Sequence, residues 1–142
     1  MSVAFAYDTR LRYGLDNDYV RPTATEKGML NRKDVCGLFE GKISFVKVNP
    51  YDCTSYIQKT FPKGSHGFIS GRYYRDGKVI GHLFNFAVCD DGVLLIDADF
   101  GNVVLSVTQE FVEETYFNIA VLRTDTLTPK LEFYDYINLI GE

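Results

Sequence analysis

The stretch from residue 66 to 98, HGFISGRYYRDGKVIGHLFNFAVCDDGVLLIDA, restricts what this chain can fold into more than any other. It holds three runs rich in β-branched and aromatic residues, broken by Asp76-Gly77 and by the sequence CDDG. Asp-Gly is the dipeptide of a two-residue hairpin loop, because both loop positions need positive φ and tolerate it. Successive hairpins commit the chain to antiparallel pairing. KISFVKV, NVVLSV and NIAVLRT read as further strands by the same criteria.

Around that sheet the helical signals are shorter. In TATEKGMLNRKDVCGLFEG, Thr23 and Glu26 have the form of a capping box and Gly37 or Gly41 supplies a stop, so a helix is predicted from about Ala24 to Leu38. Gly28 inside it costs about 1 kcal/mol relative to alanine. YDCTSYIQKTF and TQEFVEETY each predict a short helix, and KLEFYDYINLI closes the chain as strand or helix. Residues 1 to 22 show no sustained periodicity and read as an irregular arm ending at Pro22. No repeat or shift in composition divides the chain. The expectation is one α+β domain over residues 1–142, an antiparallel sheet of about five strands with an N-terminal helix packed on it.

Charge narrows the function. Fifteen basic residues against nineteen acidic give a net −4, with both signs interspersed, so the basic stripe that binds phosphate backbones is missing and nucleic acid is not an expected partner. No apolar run approaches the roughly 20 residues of a membrane span, and MSVAFAYDTRLRYG lacks the form of a signal peptide. Cys36, Cys53 and Cys89 form neither an even disulfide set nor a CxxC pair, which points to a reducing site of action. With only His66 and His82 beside them, no metal or other cofactor is expected. His66, between Gly64 and Gly67, reads as a turn residue. The excess of Tyr and Phe reads as core and cross-strand packing, its exposed part offering a surface to a protein substrate.

The hairpin itself carries a chemical pattern. Alternation puts His82 on one face with Phe84, Phe86 and Val88. With CDDG as a four-residue loop, Val88 faces Val93, His82 falls opposite Asp99, and Asp97 lies one diagonal step away, within side-chain reach. A two-residue loop is expected to carry Asp97 further along the strand and break that contact. An imidazole fixed by a carboxylate is a general base in form. By pattern alone the same residues read first as a core histidine hydrogen-bonded to backbone and the polar start of a loop, and a third member is needed before the chemical reading leads.

GHLFNFAVCDDGVLLIDADFG also resembles the core motif of the papain-fold toxin and effector domains of bacteria, among them glutamine deamidases and cysteine peptidases, in which a Gly-His-x-Phe-Asn strand leads to an Asp-x-Gln-x-Gly segment. KGSHGFISGRYYRDGK and IAVLRTD resemble flanking strands of such domains, so the likeness spans roughly residues 63 to 125. It implies a papain-like fold and a Cys-His-Asp site, with His82 as general base and Asp97 as the residue orienting it. Asp99 stands where the family has Gln, which keeps Asp99 as an alternative orienter. The family's nucleophile opens an N-terminal helix, where the helix dipole favours a thiolate. At the capped start RPTATEKGM that position is Ala24. Either a cysteine there has been replaced by design, or the chain has lost the reaction naturally. Cys36 is the alternative nucleophile if the helix starts later, and Cys53, at the start of a shorter helix, is another. Cys89 lies on the His82 strand beside the turn and is excluded. Asn17 and the backbone N–H of residue 24 are candidate oxyanion donors. The resemblance implies glutamine deamidation of a protein in a target cell, with delivery into that cell's cytoplasm without a signal peptide and an immunity protein as a further partner. A peptidase or acyltransferase on the same site, or an inactive binding module, are the other readings.

Overall fold

Antiparallel pairing organises the chain, as the hairpin turns require. The computed structural model describes residues 2–14, 20–22, 30–98 and 104–139. In chain order these hold α1 (Ser2–Tyr13), β1 (Val20–Pro22), α2 (Arg32–Cys36), β2 (Val46–Val48), a 3-10 turn (Pro50–Asp52), α3 (Cys53–Thr60), β3 (His66–Arg75), β4 (Lys78–Cys89), β5 (Gly92–Ala98), β6 (Val104–Val107), α4 (Gln109–Thr115), β7 (Asn118–Arg123), a second 3-10 turn (Leu131–Tyr136) and β8 (Ile137–Leu139). The principal sheet has six strands in the order β2-β7-β3-β4-β5-β6, all antiparallel, one more than the sequence suggested. β1 and β8 form a separate two-stranded ribbon. The fold is α+β.

Both faces of the sheet are covered. On one, Ile69, Phe84, Phe86, Val88, Leu95, Ile119 and Val121 pack with Cys53 and Ile57 of α3 and Val112 of α4. On the other, Phe68 and Leu122 pack with Ala4, Phe5 and Ala6 of α1, Val35 and Cys36 of α2, and Phe133. Burial on both sides explains why β4 and β7 read as almost continuous apolar runs. Phe5 meets Phe68 edge-on at 5.4 Å and Tyr136 at 5.1 Å, and its full burial is worth about 2–3 kcal/mol of transfer free energy.

Two expectations about the N-terminal part are corrected. Residues 2–13 form a helix rather than an irregular arm. The periodicity was absent because Ala4, Phe5 and Ala6 and the polar Asp8, Thr9 and Arg10 are all buried, so no polar face alternates with an apolar one. Further on, α2 is one short stretch beginning at Arg32, capped by the Asn31 side chain, which accepts from the Asp34 backbone N–H at 2.8 Å. Thr23, Ala24 and Glu26 lie outside the described residues. The C-terminal segment read as strand or helix is both in turn, 3-10 and then β8.

His66 is not a turn residue. It opens β3, buried, with Nδ1 donating to Asp8 of α1 at 3.1 Å. Thr124 Oγ1 also donates to the fully buried Asp8 carboxylate, and Arg12 approaches its other oxygen at 3.3 Å while donating to the carbonyls of Leu127 and Thr124. This network fastens α1 to one end of β3 and β7. Beside it, a Cβ on Gly67 would lie 2.0 Å from the Leu122 carbonyl oxygen, so only glycine lets the two strands approach this closely.

Candidate functional site

The turn after β4 sets the register of the candidate site. It contains two residues, Asp90 and Asp91, with Cys89 opposite Gly92 and Val88 opposite Val93. A two-residue turn was expected to displace Asp97. It does not, because closing the ladder by one more pair, Cys89 with Gly92, shortens the loop without shifting the strands. Asn85 therefore faces Ile96, and His82 meets Asp97 on the diagonal.

There His82 Nε2 lies 3.0 Å from Asp97 Oδ2. Both side chains keep about a third of their surface, 38% for His82 and 35% for Asp97. A histidine–carboxylate contact this exposed adds at most about 1 kcal/mol to stability, so its chemical consequence is orientation rather than cohesion. The carboxylate fixes the ring and takes Nε2, which leaves Nδ1 as the nitrogen for proton exchange with a reacting group. The ring is also held from its own strand, stacked on Phe84 at 5.9 Å with planes 19° apart.

Phe84 in turn stacks on Tyr116, at 5.5 Å, and Tyr116 meets Tyr73 edge-on. Gly71, the residue paired with His82 across β3 and β4, makes this possible: a Cβ there would come within 2.5 Å of the Tyr116 ring. Burial, with further contributions from Asp97 and Tyr73, pushes the Tyr116 phenol well above its ordinary value. It stays a neutral O–H donor beside the pair. Sequence reasoning missed Tyr116, whose contact crosses two strands, although a glycine inside the strand pattern ISGRYY was a sign of close approach.

The thiols are distributed differently. Cys36 ends α2 rather than opening a helix, and it packs with Phe68 and Leu122 on the face opposite His82. Its thiol is raised by burial, an effect only partly offset by the Phe45 backbone N–H. Cys53 is the first residue of α3 and belongs to the same apolar cluster as Phe84, on the His82 face. It is fully buried, and burial pushes it up to about 12, so at neutral pH it is a thiol and not a thiolate. Cys89 is exposed at the turn end of β4, roughly 23 Å along the strand from His82 at 3.3 Å per residue. Ala24, Asn17 and Asp99 lie outside the described residues.

Among the described residues no three His, Cys, Asp or Glu side chains converge as metal ligands, and no helix is long and apolar enough to cross a membrane. No family model matches the chain, and no curated protein or solved structure matches it.

Proposed function

We propose that this chain is a cysteine-dependent amidohydrolase of papain-like fold, a bacterial toxin or effector that deamidates a glutamine of a target-cell protein. One observation carries the proposal: an imidazole oriented by a carboxylate at 3.0 Å, both still open to solvent, on a strand pair whose motif resembles that family. In the proposed reaction a thiolate adds to the carboxamide carbon and the C–N bond breaks. His82 delivers its proton to the leaving ammonia. Water then cleaves the thioester, so glutamine and water become glutamate and ammonia.

The nucleophile is proposed at position 24, where alanine now stands, with Asp97 orienting the base. A second reading puts it at Cys53, the described thiol that opens a helix on the His82 face. That reading requires the packing around Cys53 to open, since the thiol is fully buried. Delivery into a target cell and an immunity partner belong to the same proposal.

The test is mass spectrometry of a target-cell lysate for +1 Da glutamine-to-glutamate shifts, together with ammonia release. The chain as it stands, Ala24→Cys and Cys53→Ser are compared, each with and without His82→Ala. Activity gained by Ala24→Cys assigns the nucleophile to position 24; activity in the unaltered chain that Cys53→Ser abolishes assigns it to Cys53. If neither the unaltered chain nor Ala24→Cys gives a His82-dependent shift, the enzyme reading is wrong and a binding module remains.

A further inference from the structure

On the sheet face opposite His82, α2 and the segment leading into β2 enclose a cavity of about 240 Å³. Its walls are of two kinds. Arg32, Lys33 and Lys47 are cationic, whereas Ile43, Phe45, Ala120 and the Cys36 thiol are apolar. It continues into a more open bay of about 410 Å³, where Lys42 adds a fourth cation and, among the described residues, no acidic side chain enters the lining. In a chain of net charge −4, such a concentration of one sign is a local arrangement, not a reflection of composition.

Arg32 makes the arrangement specific. Its Nε donates to Ser70 Oγ at 2.9 Å, and its Nη2 donates to the Ser70 carbonyl at 3.0 Å and to Asn118 Oδ1 at 2.6 Å. All three acceptors are neutral. The guanidinium is thus fixed in direction, half-buried, and, among the described residues, hydrogen-bonded to no carboxylate. Burial and the neighbouring Arg72 both weigh against its charge. A half-buried cation held this way is an incomplete ion pair, and an anion entering the cavity would complete it.

We propose that this cavity binds a small organic anion, a carboxylate or phosphate carried on a compact apolar body. The headgroup meets Arg32, flanked by Lys33 and Lys47, and the body lies against Ile43, Phe45 and Ala120. The volume sits just below the roughly 300 Å³ at which ligand pockets begin, which suits a short chain or single ring rather than a large cofactor. The inference is independent of the reading of His82, since the two sites lie on opposite faces.

The probe is 8-anilinonaphthalene-1-sulfonate, an apolar body with one anionic group, titrated by fluorescence against the folded protein. Saturation at one equivalent is expected, with displacement by hexanoate and hexyl phosphate. The relative strength of these two tells a carboxylate site from a phosphate site. Hexanol and hexylamine at the same concentrations should leave the probe in place. Lys33→Gln with Lys47→Gln, both exposed and outside the core, should raise the Kd about tenfold by removing two flanking charges. His82→Ala should not change it. Bound hexanoate should also slow alkylation of Cys36 by iodoacetamide while leaving the exposed Cys89 unaffected, which places the ligand in this cavity. Displacement by hexanol as effective as by hexanoate, an unchanged Kd in the double glutamine variant, or no protection of Cys36 would each overturn the proposal.

Discussion

Two histidines of this sheet each meet an aspartate at almost the same distance, one on α1 and one on β5, and their surroundings differ. His66 meets Asp8 at 3.1 Å and His82 meets Asp97 at 3.0 Å. The first pair is sealed, with Asp8 fully buried and its oxygens also engaged by Thr124 and Arg12. The second is partly open, and the His82 ring has Asp97 and the stacked Phe84 as its neighbours. Contact distance therefore does not distinguish cohesion from chemistry. What does is the number of partners and the access of water: a saturated buried carboxylate binds elements together, whereas an exposed one leaves its imidazole a nitrogen with which to react.

Breaking each pair from the carboxylate side should show the largest contrast. Asp8→Ala leaves Arg12 and His66 without their anion in a dry interior and is expected to destabilise the fold by about 3–5 kcal/mol in urea unfolding. Asp97→Ala should change the same midpoint by less than about 1 kcal/mol. Equal losses would mean that the second pair is also structural.

The adjacent glycines sharpen the same comparison. Gly67→Ala drives a Cβ against a backbone carbonyl that has nowhere to go, and should cost about 3 kcal/mol. Gly71→Ala meets only the Tyr116 ring, which can shift, and should cost about 1–2 kcal/mol while disturbing the stack that supports His82. Near-ultraviolet circular dichroism of the tyrosines should register the second and not require the first.

At the alkaline end, Cys53 on the His82 face is protonated far above its ordinary 9.0, up to about 12. The unfolded chain then loses this proton first. The stability it confers is complete below pH 9 and declines as pH rises towards 12; Cys53→Ala should flatten that decline in unfolding curves taken between pH 8 and 11. The smallest effect is expected beside His66. Burial raises the Asp125 carboxyl, but hydrogen bonds from Arg123 and the His66 backbone N–H, with the charges of both residues, bring it below its usual 3.8. Its contribution is present above that pH and fades as pH falls through the lowered value, so Asp125→Asn should blunt the acid limb slightly.

Much of the β architecture was legible because its signals are local. Asp76-Gly77 fixes a turn by φ preference, and the alternation from His82 to Val88 fixes a face. The diagonal meeting of His82 and Asp97 follows from Val88 facing Val93, the pairing expected for a four-residue loop, and the structure keeps that pairing although the turn itself has two residues. The illegible parts share a different property. α1 hides its helical period because its polar residues are satisfied by distant partners inside the protein. α2 begins only at Arg32, after the non-helical Leu30 and Asn31, because the Asn31 side chain reaches the Asp34 backbone N–H and starts a helix there, a contact that an unbroken helix from Ala24 to Leu38 did not anticipate.

By itself, then, the sequence determined the hairpins and the face on which His82 lies, consequences of short-range turn chemistry and a two-residue period, while it left the register of β4 against β5 conditional on the length of the CDDG loop. Only the tertiary structure decided which described thiol shares that face, why His66 is buried, and that the hydrogen-bond partners of Arg32 among the described residues are all neutral. Those facts depend on burial and on contacts between residues many positions apart, such as Asp8 with Thr124 or Arg32 with Asn118, and no local pattern encodes them.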